Sequence, residues 1–254
     1  MNILQALILG IIQGITEFLP ISSSGHLALF QNYFQEVNVG FDVIVHLATL
    51  LAILVFFSKD IIKIIKDILI WDTKSENFKI AVYIIIASIP IALIGFFFRY
   101  FIYSLFENLY VVALGFFISG MFLFTASFSK QNKKLNIKNT FIIGLVQTLA
   151  LIPGISRSGS TVSTGILQGI DREKAIRFSF LLAIPAMIGA NILNFTDLKV
   201  VEVWPFAIGF IAAFFAGLLG IFIFIRYLKL KRFRWFAYYC WFLSLLTIIF
   251  IYVK

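Results

Sequence analysis

Long apolar runs alternate with short basic loops along this chain, and two of the apolar stretches are broken in the middle by Pro, Gly and Ser. Six runs, at 41–58, 79–98, 109–128, 175–193, 204–225 and 235–253, are long enough to cross a bilayer as helices. The broken stretches are 3–34 and 138–169. In the first, Pro20 ends one helix and the Ser22, Ser23, Ser24, Gly25 run caps the next. In the second, Pro153 and Gly154 do the same. Each half is too short to span, so the pattern predicts two re-entrant helical hairpins whose tips lie deep in the membrane. Irregular backbone survives there only against protein or a wet cavity. A proline-kinked full span is the alternative.

The two broken stretches resemble each other. At a constant offset of 134 residues, Gly10 faces Gly144, Gln13 faces Gln147, and Ile21, Ser22, Ser24 and Gly25 face Ile155, Ser156, Ser158 and Gly159. Seven of the 21 positions in 8–28 match 142–162. The differences concern charge: Glu17, Ser23 and His26 stand opposite Leu151, Arg157 and Ser160. Each half, 1–128 and 135–254, then carries one hairpin and three spans. Three is odd, so the halves insert with opposite topology. The expected fold is an all-α membrane protein of six transmembrane helices and two re-entrant hairpins, built as an inverted-topology internal repeat within one integral membrane domain over 1–254.

Composition agrees. Hydrophobic residues make up 61% and charged residues 13%, where soluble domains carry about 25% charge. The net charge of +9 does not indicate nucleic acid, because the basic residues sit in loops. The loops 58–79, 129–140, 170–177 and 226–234 hold 17 of the 21 Lys and Arg. That side is predicted to be cytoplasmic, which puts both termini and the first hairpin outside. The N-terminus lacks the basic start of a cleavable signal peptide. Segment 59–71, with Lys59, Lys63 and Lys66 among Ile residues, reads as an amphipathic helix on the inner leaflet. Lone Cys240 rules out a disulfide framework.

One acid and one base remain outside the loops, Glu17 and Arg157, each in a broken hairpin. Charge at membrane depth is costly and marks function by default, although a structural ion pair between the tips is the plain alternative. Gln13 and Glu17, four apart, share a helix face. Around them stand Ser22, Ser23, Ser24, His26, Ser156, Ser158 and Thr161. These are parts for phosphoryl chemistry. Arg157 offers a planar fork for phosphate oxygens, and the helix starts after Ser24 and Ser158 offer free amides to an anion. His26 could activate a hydroxyl or water, or protonate a leaving group. Glu17 could orient His26 or hold a divalent metal. The other histidine, His46, stands opposite Phe180 and reads as structural or supporting.

The stretch from Gln13 through Glu17, Pro20, Ser22, Ser23, Ser24 and Gly25 to His26 resembles the first signature of the undecaprenyl-pyrophosphate phosphatases of the bacitracin-resistance type. Pro153 to Thr161 resembles their second, and Phe178 to Pro185 a further block. The resemblance runs through nearly the whole chain. It implies a multi-pass enzyme of the bacterial plasma membrane that removes the terminal phosphate from undecaprenyl diphosphate, recycles the lipid carrier for peptidoglycan synthesis and confers bacitracin resistance. Carried over, Glu17 matches the second acidic position, Ser23 and His26 the catalytic serine and histidine, and Arg157 the phosphate-binding arginine. The first acidic position, Glu or Gln in the family, is Gln13 here, which leaves one carboxylate for Mg²⁺ or Ca²⁺.

The expected catalytic set is therefore Glu17, Ser23, His26 and Arg157, with Glu17 also the metal ligand. Gln13, Ser22, Ser24, Ser156, Ser158 and Thr161 would bind the substrate. Ser23 is the first choice of nucleophile with His26 as base or acid; His26 activating water or attacking directly is the rival. The partner is a long-chain prenyl diphosphate lipid, reached from the outer face, with a homodimer allowed. A secondary transporter or lipid-phosphate flippase using the same inverted repeat is the alternative function.

Overall fold

The computed structural model describes residues 1–35, 38–129, 133–194, 203–229 and 233–253. Lys130, Lys231 and Arg232, counted in the basic loops, lie outside the described residues, as do Glu36, Asp197, Lys199, Glu202 and Lys254. Among the described residues there is no strand; one isolated bridge joins Lys133 to Ile170. The helices are α1 (Ile3–Phe18), α2 (Ser23–Phe34), α3 (Val39–Phe56), α4 (Ser58–Leu69), α5 (Glu76–Phe97), α6 (Arg99–Phe106), α7 (Leu109–Ala126), α8 (Ile137–Gln147), α9 (Arg157–Leu167), α10 (Arg172–Asn194), α11 (Val203–Lys229) and α12 (Phe233–Val253). A 3-10 turn, Thr148–Leu151, continues α8.

Six of these, α3, α5, α7, α10, α11 and α12, are long and apolar enough to cross a membrane. Their surfaces agree with that. On α5, Ile85, Ile89 and Leu93 form an exposed stripe at helical spacing, which water would penalise and lipid tails do not. Polar side chains start the helices: Asn38 caps α3 through the amide of Phe41, Ser75 caps α5 through Phe78, and Asn136 caps α8 through Asn139. The chain is a multi-pass membrane protein. The amphipathic segment forms α4, where Ile62, Ile65 and Leu69 make an exposed apolar stripe and Ile64 alone is buried.

Lipid tails are as apolar as leucine, so contact between apolar helices rests on close packing of small residues. The pairing of α1 with α11 shows this. A Cβ on Gly10 would stand 2.5 Å from the Gly209 carbonyl, and one on Gly14 would stand 2.5 Å from that of Ala213 and 2.6 Å from the Ala216 Cβ. Likewise α8 lies on α5, where a Cβ on Gly144 would meet the Ala87 carbonyl at 2.5 Å.

Both interrupted stretches fold as helix–turn–helix units, α1–α2 and α8–α9, and their turns meet against α7. Gly115 of α7 lies under Pro153 and Gly154, while Phe116 packs under Gly25. Gly154 has φ +89°, a conformation that suits glycine at a tip where a Cβ would reach 2.3 Å from the Val112 carbonyl. An aromatic cluster fills the space beside the tips: Phe180 packs on Phe18, Phe57 and Phe224, with ring centroids 5.9, 5.5 and 5.6 Å apart.

Candidate active site

Three side chains meet where the turns touch, each carried by a helix end. Glu17 lies in the last turn of α1, Ser23 is the first residue of α2 and Arg157 the first of α9. Arg157 Nη2 donates to Glu17 Oε1 at 2.6 Å. Ser23 Oγ donates to Glu17 Oε2 at 2.6 Å, and Gln13 Nε2 donates to the same oxygen at 3.0 Å. The carboxylate is thus the hub, almost enclosed at 8% side-chain exposure against 14% for Arg157. The Arg157 Nη1 atom is buried with no partner among the described residues, as is Gln13 Oε1.

The two turns are held alike. Ser22 Oγ accepts from the amide of Gly25 at 3.2 Å, and Ser156 Oγ from the amide of Gly159 at 3.0 Å. Ser22 and Ser24 hydroxyls lie 3.2 Å apart, and so do those of Ser156 and Ser158. The amides of Ser23 and Ser24, and of Arg157 and Ser158, are first-turn groups that no intrahelical carbonyl can satisfy. Two helix starts, each with a partial positive charge, therefore flank the Glu17–Arg157 pair. Other hydroxyls clamp the scaffold. Ser119 Oγ accepts from the Ser156 amide at 2.8 Å and donates to the Gly154 carbonyl at 3.0 Å. Ser158 Oγ donates to the Leu19 carbonyl at 3.2 Å, tying the second turn to the first. Thr161 shares a hydrogen bond with Ser179 at 2.6 Å.

Of the residues singled out from sequence, the structure brings Glu17, Ser23, Arg157 and Gln13 together. Ser24 lies half-buried beside them. Ser22, Ser156, Ser158 and Thr161 are buried, and their hydroxyls bond within the turns. His26 points elsewhere. Its Nδ1 contacts the Ser22 carbonyl at 2.7 Å and its Nε2 the Tyr239 hydroxyl at 3.0 Å, with the ring edge-on to Phe116. A carbonyl only accepts, so Nδ1 carries the proton and, in the neutral ring, Nε2 accepts from Tyr239. No hydrogen bond joins His26 to Ser23 or Glu17 among the described residues. The carboxylate, not the imidazole, holds the Ser23 hydroxyl.

Sequence reasoning missed Tyr239 and Ser119, since no spacing links either to a motif. The other histidine, His46, read from sequence as structural or supporting, lies beside the Glu17 hub. That ring, on α3, donates from Nδ1 to the Asp42 carbonyl at 2.7 Å and sets Nε2 at 3.9 Å from Glu17 Oε2. Behind it, Asp42 Oδ1 accepts from Gln31 Nε2 at 2.6 Å. Among the described residues no three His, Cys, Asp or Glu side chains stand together as a metal cluster. A cation would need the Glu17 carboxylate plus other donors, and the orphaned Gln13 Oε1 beside it is one such oxygen.

Comparison with known proteins is consistent with this geometry. Residues 6–246 match the model of the family described as bacitracin resistance protein BacA. The undecaprenyl-diphosphatase of Carboxydothermus hydrogenoformans is 38% identical over 98% of this chain and 97% of its own length. That of Methanococcus vannielii is 37% identical over 98% and 100%. That of Christiangramia forsetii is 39% identical over the full length of both.

Proposed function

This chain belongs to the family of the bacitracin resistance protein BacA, and from that premise we infer that it is an undecaprenyl-diphosphatase. It is a membrane hydrolase that converts undecaprenyl diphosphate to undecaprenyl phosphate and inorganic phosphate. The activity returns the lipid carrier to cell-wall synthesis and withdraws the diphosphate form that bacitracin targets.

The observation that carries the site assignment is the unpaired Arg157 Nη1 between two helix starts. One arm of the guanidinium holds Glu17 and the other is left for a phosphate oxygen, with the amides at Ser23–Ser24 and Arg157–Ser158 as further donors. Ser23 Oγ attacks the terminal phosphorus. The Oγ–P bond forms, the bridging P–O bond breaks, and its electron pair leaves with undecaprenyl phosphate. The Ser23 proton passes to Glu17 Oε2, already 2.6 Å away. Phosphoryl transfer through a loose transition state asks little of a base, so a carboxylate paired with arginine suffices. Water then attacks the phosphoserine: the P–Oγ bond breaks, protonated Glu17 returns its proton to Ser23 Oγ and is again a carboxylate, and both hydrogens of the water leave with inorganic phosphate. His26, bonded to the Ser22 carbonyl and Tyr239, fixes the turn that aims Ser23.

The residues present fit a divalent cation. Glu17 and the orphaned Gln13 Oε1 would hold it, and Mg²⁺ or Ca²⁺ would neutralise charge on the diphosphate. The paired helix–turn–helix units, capped by the same hydrogen bonds, support an inverted repeat with re-entrant hairpins. The basic loops support external termini and a site open to the outer face of a bacterial plasma membrane. The relatives reported are named for hydrolysis, so transport without hydrolysis gains no support from them.

Phosphate release from undecaprenyl diphosphate by purified protein in detergent tests this reading. Arg157→Ala should lose roughly a thousandfold or more in kcat/KM, because it removes the charge that meets the transferring phosphoryl group. Release that survives the substitution would refute the site.

A further inference from the structure

His46 has no task in the mechanism above, yet its ring is set toward the site with unusual definition. The Asp42 carbonyl accepts from Nδ1 at 2.7 Å and so fixes the tautomer, leaving the lone pair of the neutral ring on Nε2. That atom has no hydrogen-bond partner among the described residues and faces Glu17 Oε2 at 3.9 Å. Two lone-pair atoms at that separation are too far apart for a hydrogen bond. They are correctly spaced for a shared ion, because donors about 2.1 Å from one metal stand roughly 3–4.2 Å apart.

Four further facts point the same way. Gln13 Oε1 is a fully buried acceptor without a donor, on the amide whose nitrogen already touches Glu17 Oε2. An imidazole that donates its far nitrogen to a backbone carbonyl is the usual arrangement of a metal-binding histidine. Arg157 takes the opposite carboxylate oxygen, Oε1, and a cation on the Oε2 side would displace the Gln13 amide nitrogen, now 3.0 Å away, so that a half-turn of that amide presents its oxygen instead. The His46 side chain is also 32% exposed, which leaves it reachable.

We propose that His46 Nε2, Glu17 and Gln13 Oε1 together hold the divalent cation, and that the imidazole tunes the site toward a borderline metal such as Mn²⁺ rather than Ca²⁺. A single carboxylate with an amide oxygen makes a poor hard-ion site, and nitrogen ligation moves selectivity toward transition metals. The proposal rests on the phosphatase reading only for the substrate oxygens that complete the coordination.

The test is metal binding to the substrate-free protein in detergent, read by electron paramagnetic resonance of added Mn²⁺, with pulsed detection of coupling to histidine ¹⁵N. Only two histidines exist in the chain, and both ring nitrogens of His26 are engaged, so a coupled nitrogen is His46. Wild type should bind Mn²⁺ with one histidine nitrogen coupled. His46→Gln should lose the coupling and weaken binding at least about tenfold. Gln13→Glu should tighten binding with the coupling retained, and this second lever works even if His46→Gln fails to fold. Failure of wild type to bind Mn²⁺, binding without a histidine nitrogen, or coupling that persists in His46→Gln would each overturn the proposal. Phosphate release is measured on the same samples. Intact coupling without release would sink the phosphatase reading alone; release with Mg²⁺ but no coupled nitrogen would sink the ligand assignment alone.

Discussion

Glu17 and Arg157 form a buried ion pair, and such a pair can serve structure or chemistry. The two roles separate by substitution. Glu17→Gln leaves the arginine charge without its partner, a change that costs about 3–5 kcal/mol when a buried pair is broken. Replacing both partners, Glu17→Gln with Arg157→Met, removes the uncompensated charge and should recover most of the thermal stability in detergent while phosphate release stays absent. Recovery of turnover with stability would reduce the pair to a strut. Ser23→Ala should fold normally and lose about a thousandfold or more of turnover; substantial residual release would move the nucleophile to water or to His26. Tyr239→Phe strips the donor from His26 Nε2. It should lower stability by about 1–3 kcal/mol, the cost of an unsatisfied buried acceptor, and reduce turnover far less than Ser23→Ala. The ion pair was legible because each charge interrupts an otherwise apolar stretch. The partner of His26 was not, because Tyr239 lies 213 residues away among nine tyrosines. Spacing suggested a Ser23–His26 pair. The fold prefers Ser23–Glu17, because the first turn of α2 carries His26 round to the Ser22 carbonyl and the α12 tyrosine.

At the scale of helices, the packing predicts which glycines matter. Gly14 sits where α1 meets α11 with no room for a methyl group, so Gly14→Ala should lower the melting temperature in detergent, with overpacking costing about 1–3 kcal/mol. Gly189 in α10 has nothing within 4 Å of a built Cβ. Gly189→Ala should be neutral or stabilising by up to about 1 kcal/mol, since it removes only backbone freedom. Equal effects at the two positions would mean that α1 and α11 do not pack as described. The break points of both helix–turn–helix units could be read from Pro20 and from Pro153 with Gly154, and the six long apolar helices from their apolar runs. The 3-10 turn at Thr148–Leu151 and the short α6 could not, because tertiary contact rather than local pattern decides such pieces. Nor does an apolar run reveal its neighbour. That α7 is the platform for both tips follows from Gly115 and Phe116, which look like any other span residues until the turns are seen to rest on them.

For the molecule as a whole, the remaining question is which side of the membrane reaches Glu17 and Arg157, and the charge distribution supplies an answer that can be checked. Basic loops resist translocation, and 17 of the 21 Lys and Arg fall in four loops that the alternation of spans would put on one side. The exposed apolar stripe of α4 beside Lys59, Lys63 and Lys66 suits that same side, where anionic headgroups attract lysine. This reading predicts that the first helix–turn–helix unit, carrying Glu17 and Ser23, enters from outside. On the same reading the second, carrying Arg157, would enter from the cytoplasm, and the two halves of the site would come from opposite leaflets. Single cysteines decide the matter. Cys240 is fully buried and should give no background with a membrane-impermeant maleimide. Glu107 and Lys74 are both exposed, in loops on opposite sides of α5 and the short α6. In intact cells Glu107→Cys should be labelled and Lys74→Cys should not, with Lys74→Cys labelled only after permeabilisation. The reverse pattern would invert the molecule and open the site to the cytoplasm. A diphosphate released outside after wall polymerisation would then have to cross the membrane before this enzyme could act on it.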